Sequence, residues 1–393
     1  QISLKSDVGL YKFSTINTSS AIISSNMIRI NNIVLSSIPK ESPINWFTWD
    51  GTMITGLTDI GKQQENIVLP ALTTRIDSHA FFRSNIVIID MSLTSITQIP
   101  SPTMNNDGST SNILEGAFTY STKLSTIIFP KNLTFIGSQT FRGCTALKDI
   151  TFPGTLNQIN RSAFFGCSSI KTIRLPNSIK GTNLEDFVFY GCTSLTSISL
   201  PSNITWIGQQ TFYNCTSLTS ISLPNSISRI DQFAFYNCSK LNSINMPASL
   251  STIGNYAFEY CSSLTSITMP NSLKTLGTSV FQTCTKLKNI SGLGSSILDA
   301  IPNSAFKDCS SLTNINIPNT VISIGEYAFY NCTSLTSLQI PDAVNNIGSY
   351  AFSYLKSNQH SDMENLIIYV TNNSVENIVK NIFKGTVINL NRP

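Results

Sequence analysis

Charge is scarce in this chain of 393 residues. Asp, Glu, Lys and Arg together make up 12%, and the formal net charge is only +4. With no basic cluster, the chain lacks the concentrated Lys and Arg that neutralise phosphates, and a nucleic-acid partner is not expected. No apolar run approaches the roughly 18 residues of a membrane span. The opening stretch "QISLKSDVGLYKFSTINTSS" lacks the charged-then-apolar order of a signal peptide. Histidine occurs twice, at His79 and His360. The chain is rich instead in Ser, Thr and Asn, with 22 Phe and nine Cys.

Those residues fall into a repeat. A phenylalanine following Ala, Thr or Val recurs at 81, 118, 141, 164, 189, 212, 235, 258, 281, 306, 329 and 352. From 118 onward the interval is 23 residues, with two copies of 25. Near-constant length over many copies is the mark of a solenoid. All nine cysteines lie three residues after a mark: Cys144, Cys167, Cys192, Cys215, Cys238, Cys261, Cys284, Cys309 and Cys332. At the ends the equivalent places hold Ser84, Ser121 and Leu355. The cysteine is therefore a repeat position, one per coil, expected as a structural ladder of reduced, buried thiols.

Within a coil, "TSISL" alternates polar and apolar, so Ile221 and Leu223 point inward and Ser220 and Ser222 outward, as in a half-buried strand. Pro224 has no amide donor and suits the strand's end. "IGQQTFYNC" reads as a short helical or 3₁₀ turn that brings Phe212 inward. Just before the cysteine stand Gly143, Gly166, Gly191, Asn214, Asn237, Asp308 and Asn331, residues that tolerate positive φ; Tyr260 and Thr283 depart from this. After Phe352 the pattern breaks. "ENLIIYV" reads as a strand and "NNSVENIVKNIF" as a helix, with Asn373 as N-cap, Glu376 three residues on and Gly385 as stop; a final strand "TVINL" follows. In the first 60 residues "NMIRINNIVL" is strand-like and "NWFTWDG" an aromatic-rich turn.

"LTSISLPNSISRIDQFAFYNC" resembles the BspA-type leucine-rich repeat, and the resemblance covers about residues 65–355. It implies a curved solenoid, a secreted or cell-surface location, adhesion or recognition roles, and no catalytic residues. The expected fold is a β-rich, right-handed leucine-rich repeat array of about 12 turns, with short parallel strands, short helical or 3₁₀ turns and terminal caps. Its expected divisions are 1–60 as an N-terminal β cap or small domain, 61–355 as the solenoid and 356–393 as a strand–helix–strand cap. The copies containing "NSIKGTNLEDFVF" and "SGLGSSILDAIP" are the 25-residue ones and suggest local bulges or a kink.

Catalysis and metal binding find little footing. Neighbouring ladder cysteines sit about 4.8 Å apart at the strand spacing, which a disulfide tolerates. An odd count and inward orientation argue against pairing. A one-dimensional ladder does not converge on a metal. The two histidines lie on the order of 50 Å apart at the strand spacing, and "SGLGSS" has neither the third glycine nor the lysine of a phosphate loop. No cofactor, metal or enzymatic activity is expected.

Candidate binding positions are on the surface. Phe165, Tyr190, Tyr213 and Tyr236 follow the mark in four successive coils, as rings stacked between coils or as a docking face. Phe135 and Trp206 share a register position six residues before a mark. Lys148, Lys171 and Arg174 make a basic end on an otherwise neutral sheet face, which is either simply solvated or a hydrogen-bonding surface. Sequons occur at Asn17, Asn132, Asn160, Asn203, Asn214, Asn237, Asn289, Asn331 and Asn372. The expected partners are protein or glycan ligands. In the alternative, a structural subunit of a fibre or surface layer, they are copies of the chain itself.

Overall fold

The computed structural model describes residues 41–102, 115–179, 183–356 and 359–391, and five strands within the first forty residues. Those five are a hairpin of Ser3–Ser6 with Gly9–Lys12 and an antiparallel sheet of Ala21–Ser24, Met27–Ile30 and Ile33–Ser36.

From Phe47 to Phe383 one continuous core runs through the molecule. Each coil contributes an outer edge of two short strands. The first ladder takes rungs such as Ser197–Ser199, Ser220–Ser222 and Ser243–Asn245, each with an exposed–buried–exposed pattern. Counting the bridges at Asp149 and Asn314, it has about 14 rungs, two more than there are phenylalanine marks. The extra rungs are Ile367–Val370 and Thr386–Asn389, which lie beyond the last mark. The second ladder uses two-residue rungs, such as Arg229–Ile230 and Thr252–Ile253, whose second residue is buried. All pairing within both ladders is parallel, because each coil repeats the last in register.

Both 25-residue copies leave a trace in the same place. The second ladder is a series of sheets broken at these copies, between Gln158–Ile159 and Asn183–Leu184 and again between Thr275–Leu276 and Ala300–Ile301; it is also broken earlier, between Arg75–Ile76 and Gln98–Ile99. At the second break the extra residues form a 3₁₀ turn, Leu293–Ser295, entered through Gly292 at φ +76°. The first ladder and the core continue past both copies; residues 180–182, where a bulge is expected in the first copy, lie outside the described residues.

The third side of each coil carries the mark. Its turns have the i→i+3 bond of a 3₁₀ helix, for example Arg142 N–H to Gln139 O and Cys144 N–H to Phe141 O. They do not propagate, because a left-handed residue interrupts them on both sides of the mark. Two residues after the mark, every copy from Arg83 to Asn331 has positive φ, including Tyr260 at 62° and Thr283 at 60°. These two therefore keep the backbone of the glycine and asparagine copies. A second left-handed position stands two residues before the mark, at Gln139, Ser162, Phe187, Gln210, Phe233 and Tyr256 among others. A non-glycine residue there is disfavoured by about 1–2 kcal/mol. The alternation aims every second N–H at the next coil. Gln210, Phe212 and Asn214 donate to the carbonyls of Gln232, Ala234 and Tyr236, and this trio repeats along the solenoid. Three inter-coil bonds per copy offset the local strain.

The twelve mark phenylalanines stack from Phe81 to Phe352 with centroids 5.0–6.0 Å apart and nearly parallel rings. Both ends are covered. At the start, Phe47–Asp50 and Met53–Leu57 form an antiparallel hairpin through Gly51, and Met53–Ile54 joins the second ladder beside Arg75–Ile76. Ser42 closes the first ladder, its N–H on Val68 O and its hydroxyl accepting from Val68 N–H. At the far end, helix α1 (Asn373–Ile382) buries Val375 and Val379, and Phe383 sets its ring edge-on against Phe352 at 6.0 Å. The helix N-cap is Asn372, not Asn373: Asn372 is extended and its Oδ1 accepts from Val375 N–H. Glu376 thus lies four residues after the cap and not three; it pairs with Lys380 and accepts from Asn389 Nδ2.

Candidate binding surface

All nine cysteines are free and fully buried. Each thiol donates to the carbonyl of the mark phenylalanine one coil back, at 3.0–3.4 Å from Cys144 onto Phe118 to Cys332 onto Phe306. Ser121 makes the same bond to Phe81 O at 2.7 Å. The position therefore calls for a small side chain with one donor, a requirement the spacing alone did not reveal. Burial pushes every one of these thiols up, Cys192 to about 12, so the reactive thiolate is suppressed. Among the described residues no group of His, Cys, Asp and Glu could hold a metal ion.

The outer aromatic row is a stack. Phe165, Tyr190, Tyr213 and Tyr236 lie half-buried with centroids 4.3, 4.6 and 4.5 Å apart and planes within 8°. The Arg142 guanidinium covers one end, 4.8 Å from the Phe165 ring, and Tyr260 meets Tyr236 edge-on at the other. Beside it runs a second set of rings, those of the left-handed position before the mark. Phe233 stacks on Tyr256 at 4.7 Å and touches Tyr213 and Tyr236; Phe187 touches Tyr190. Glu259 occupies the next step after Tyr236, almost without exposure. Burial pushes its carboxyl up to about 7, against the opposing pull of Lys307. Burial, with Glu259 next, pushes the Tyr236 phenol up to about 12.

Phe135 and Trp206 share a row but not a site. Phe135 pairs with Gln98 and Gln158, Trp206 with Asn183 and Arg229, in separate sheets. Both are half-buried. Lys148 and Lys171 are exposed at equivalent places in successive coils, with exposed Arg174 on the same sheet face opposite Ser199. Hydroxyls in the turns between the two ladders serve the coil before them: Ser226, Ser249 and Ser272 each bond two of its carbonyls. The abundance of Ser and Thr is thus partly structural.

The sequons divide by what their amides do. Asn214, Asn237 and Asn331 take φ of 54–58°. Asn237 Nδ2 donates to Asn214 Oδ1, Asn331 Nδ2 to Asp308 Oδ1 and Asn203 Nδ2 to Ile179 O. Asn160 accepts from Gln158, and Asn372 is the helix cap. Asn132 and Asn289 are exposed. Asn17 lies outside the described residues. His79 is exposed and bonded to Ser78. His360 is carried back by the hairpin Ser353–Lys356 and Gln359–Asp362 onto Tyr350, 4.2 Å away, and the Tyr327–Tyr330 pair. No sequence signal marked that return, because it depends on a hairpin outside the repeat. No helix among the described residues is long and apolar enough to cross a membrane.

The pattern that defines the BspA type leucine rich repeat region matches residues 60–115, 111–210, 182–297 and 299–391. Among solved structures, a leucine-rich repeat protein from Bacteroides ovatus is similar at 25% identity and a TM-score of 0.62, over 88% of this chain and 97% of that one. A leucine rich cell surface protein from Faecalibacterium prausnitzii is similar at 23% identity and a TM-score of 0.49, over 87% and 96%. The pneumococcal vaccine antigen PcpA is similar at 19% identity and a TM-score of 0.46, over 95% and 99%. Among curated proteins nothing matches the chain.

Proposed function

The chain belongs to the BspA-type leucine-rich repeat family, and we propose that it is a secreted or surface-displayed recognition scaffold that binds glycan or protein ligands through its solenoid surface, without catalysis. The observation that carries this reading is the outer aromatic row. Four rings, their neighbours and a guanidinium are held half-exposed in fixed register by the coils beneath them. Such a surface is already ordered before a partner arrives, so association forfeits little side-chain freedom. The nucleophilic thiols, by contrast, lie in the interior with their ionisation suppressed. A glycan and extracellular-matrix protein array probed with the whole chain tests the proposal. Specific binding that weakens in Tyr213→Ala or Trp206→Ala supports it; an array silent for the native protein overturns it.

A second reading, a subunit of a fibre or surface layer, draws on the last rung. Thr386–Asn389 is the outermost strand of its sheet, with Ile388 and Leu390 exposed beside it. An open strand edge is a template for pairing with another chain. Filaments in negative-stain images of purified protein would favour this reading, and discrete particles the first.

A further inference from the structure

A cleft of about 380 Å³ crosses six successive coils, from Asp186 to Pro302. Its construction repeats with the coil. One side is the outward residue of the second ladder, Arg229, Thr252 and Thr275 in register. The other side is the residue three before each mark, namely Asp186, Gln209, Gln232, Asn255 and Thr278. Between them Gly254 and Gly277 leave the floor as bare backbone. A Cβ on Gly254 would stand 2.5 Å from Gln232 N, and one on Gly277 2.3 Å from Asn255 N, so these coils approach too closely for any side chain. Trp206 continues the first side one rung before Arg229. Phe187, Phe233 and Tyr256 each follow a residue of the second side in the chain, but their rings turn to the outer aromatic row or to each other and do not line the cleft.

We propose that this cleft binds an extended, neutral polysaccharide lying along the solenoid axis. The proposal rests on the recognition reading above and names the ligand class at a site distinct from the outer aromatic row. The lining is planar amides, hydroxyls, backbone and one carboxylate–guanidinium pair, Arg229 with Asp231, which suits the many donors and acceptors of sugar hydroxyls. The charged lining residues are Asp186, Asp231 and Arg229, so no cationic surplus exists to hold an acidic polymer. The apolar residues beneath, Ile253 and Leu276, are buried in the core, so the floor offers no pocket for a peptide side chain.

The test is calorimetric titration of the whole chain with cellobiose, cellotetraose and cellohexaose, and with the hexasaccharides of mannan, xylan and chitin. Maltohexaose serves as a coiled comparator. At least one β-linked series should bind, tighter with length until the oligomer spans the cleft, and more tightly than maltohexaose. Trp206→Ala should weaken binding about tenfold, and Gln232→Ala, an exposed position that leaves the core untouched, severalfold. Lys62→Ala, exposed near the start of the solenoid and outside both the cleft lining and the outer aromatic row, should leave it unchanged. If Trp206→Ala fails to fold by its thermal melt, Gln232→Ala and the length series still decide. The proposal is overturned if no oligosaccharide binds, if length has no effect, or if the cleft variants bind as the native chain does. Where matrix proteins or peptides bind and oligosaccharides do not, the cleft proposal falls and the recognition scaffold stands. Where the array is silent as well, both fall.

Discussion

Two rows run the length of this solenoid with one residue per coil, and they follow different rules. The sulfur row is buried, chemically uniform and tied to the carbonyl of the coil before it, so that Ser121 can replace cysteine and keep the bond. The row immediately after the mark is half-exposed and changes character along its length: Arg142, then Phe165, Tyr190, Tyr213 and Tyr236, then Glu259, Gln282 and Lys307. Inside, size and one donor are demanded at every step. Outside, the backbone ladder is already satisfied by Gln210, Phe212 and Asn214 and their equivalents, so the side chain is free to vary. Uniformity is the signature of the core, and a local run of one chemistry on the outer row is where a partner surface is to be sought.

The largest test of that contrast removes one ring from each side of the same backbone turn. Phe212→Ala should cost about 3–5 kcal/mol, because it opens a void in a close-packed stack. Tyr213→Ala, half-exposed, should cost about 1 kcal/mol or less. Denaturant melts of the two variants measure the difference, and equal losses would mean the outer row is core after all.

Glu259 is the place where the outer row behaves like an inner one. Burial makes the folded state hold a proton that the unfolded chain releases near the ordinary carboxyl value of 4.5. Stability is therefore greatest below that value, falls as pH rises towards about 7 and levels off above it. The drop is on the order of 1–2 kcal/mol once solvent screening of the partly enclosed carboxyl is allowed for. Melting temperatures at pH 5 and pH 8 should show it, and Glu259→Gln should flatten the profile. A native profile already flat across that range would contradict the burial.

The smallest effect concerns the thiol bond. Cys238→Ser keeps a donor for Phe212 O and should lose less than about 1 kcal/mol, whereas Cys238→Ala loses donor and volume together and should cost about 1–2 kcal/mol. Thermal melts that rank serine below alanine would show that the position selects for apolar bulk and not for its hydrogen bond.

Much of the fold was legible from spacing. The phenylalanine marks, the cysteine three residues on and the alternation of Ser220 to Leu223 each gave the direction of a side chain. The left-handed residues after the mark were legible where glycine or asparagine stood and hidden at Tyr260 and Thr283. Those before the mark were hidden altogether, since Gln, Ser, Phe and Tyr carry no local preference for that backbone; the inter-coil bonds impose it. The helix cap moved from Asn373 to Asn372 because the preceding strand, paired with Ser337–Gln339, sets where the helix can begin. Of the surface candidates, the aromatic stack was legible because its rings share one register. The cleft was not, since its sides come from different positions in each coil and its floor from glycines that carry no side chain to read.

The sequence by itself determined the period, the inward row of sulfur and the parallel stacking of equal coils, because a one-dimensional repeat buries the same positions at every step. Only the tertiary structure decided which carbonyl each thiol meets, where the surplus residues bulge, how Phe383 closes the stack and which outward residues face one another across the cleft. Those depend on distances between coils, and distance between residues some 23 apart is a property of the stack and not of any stretch within it.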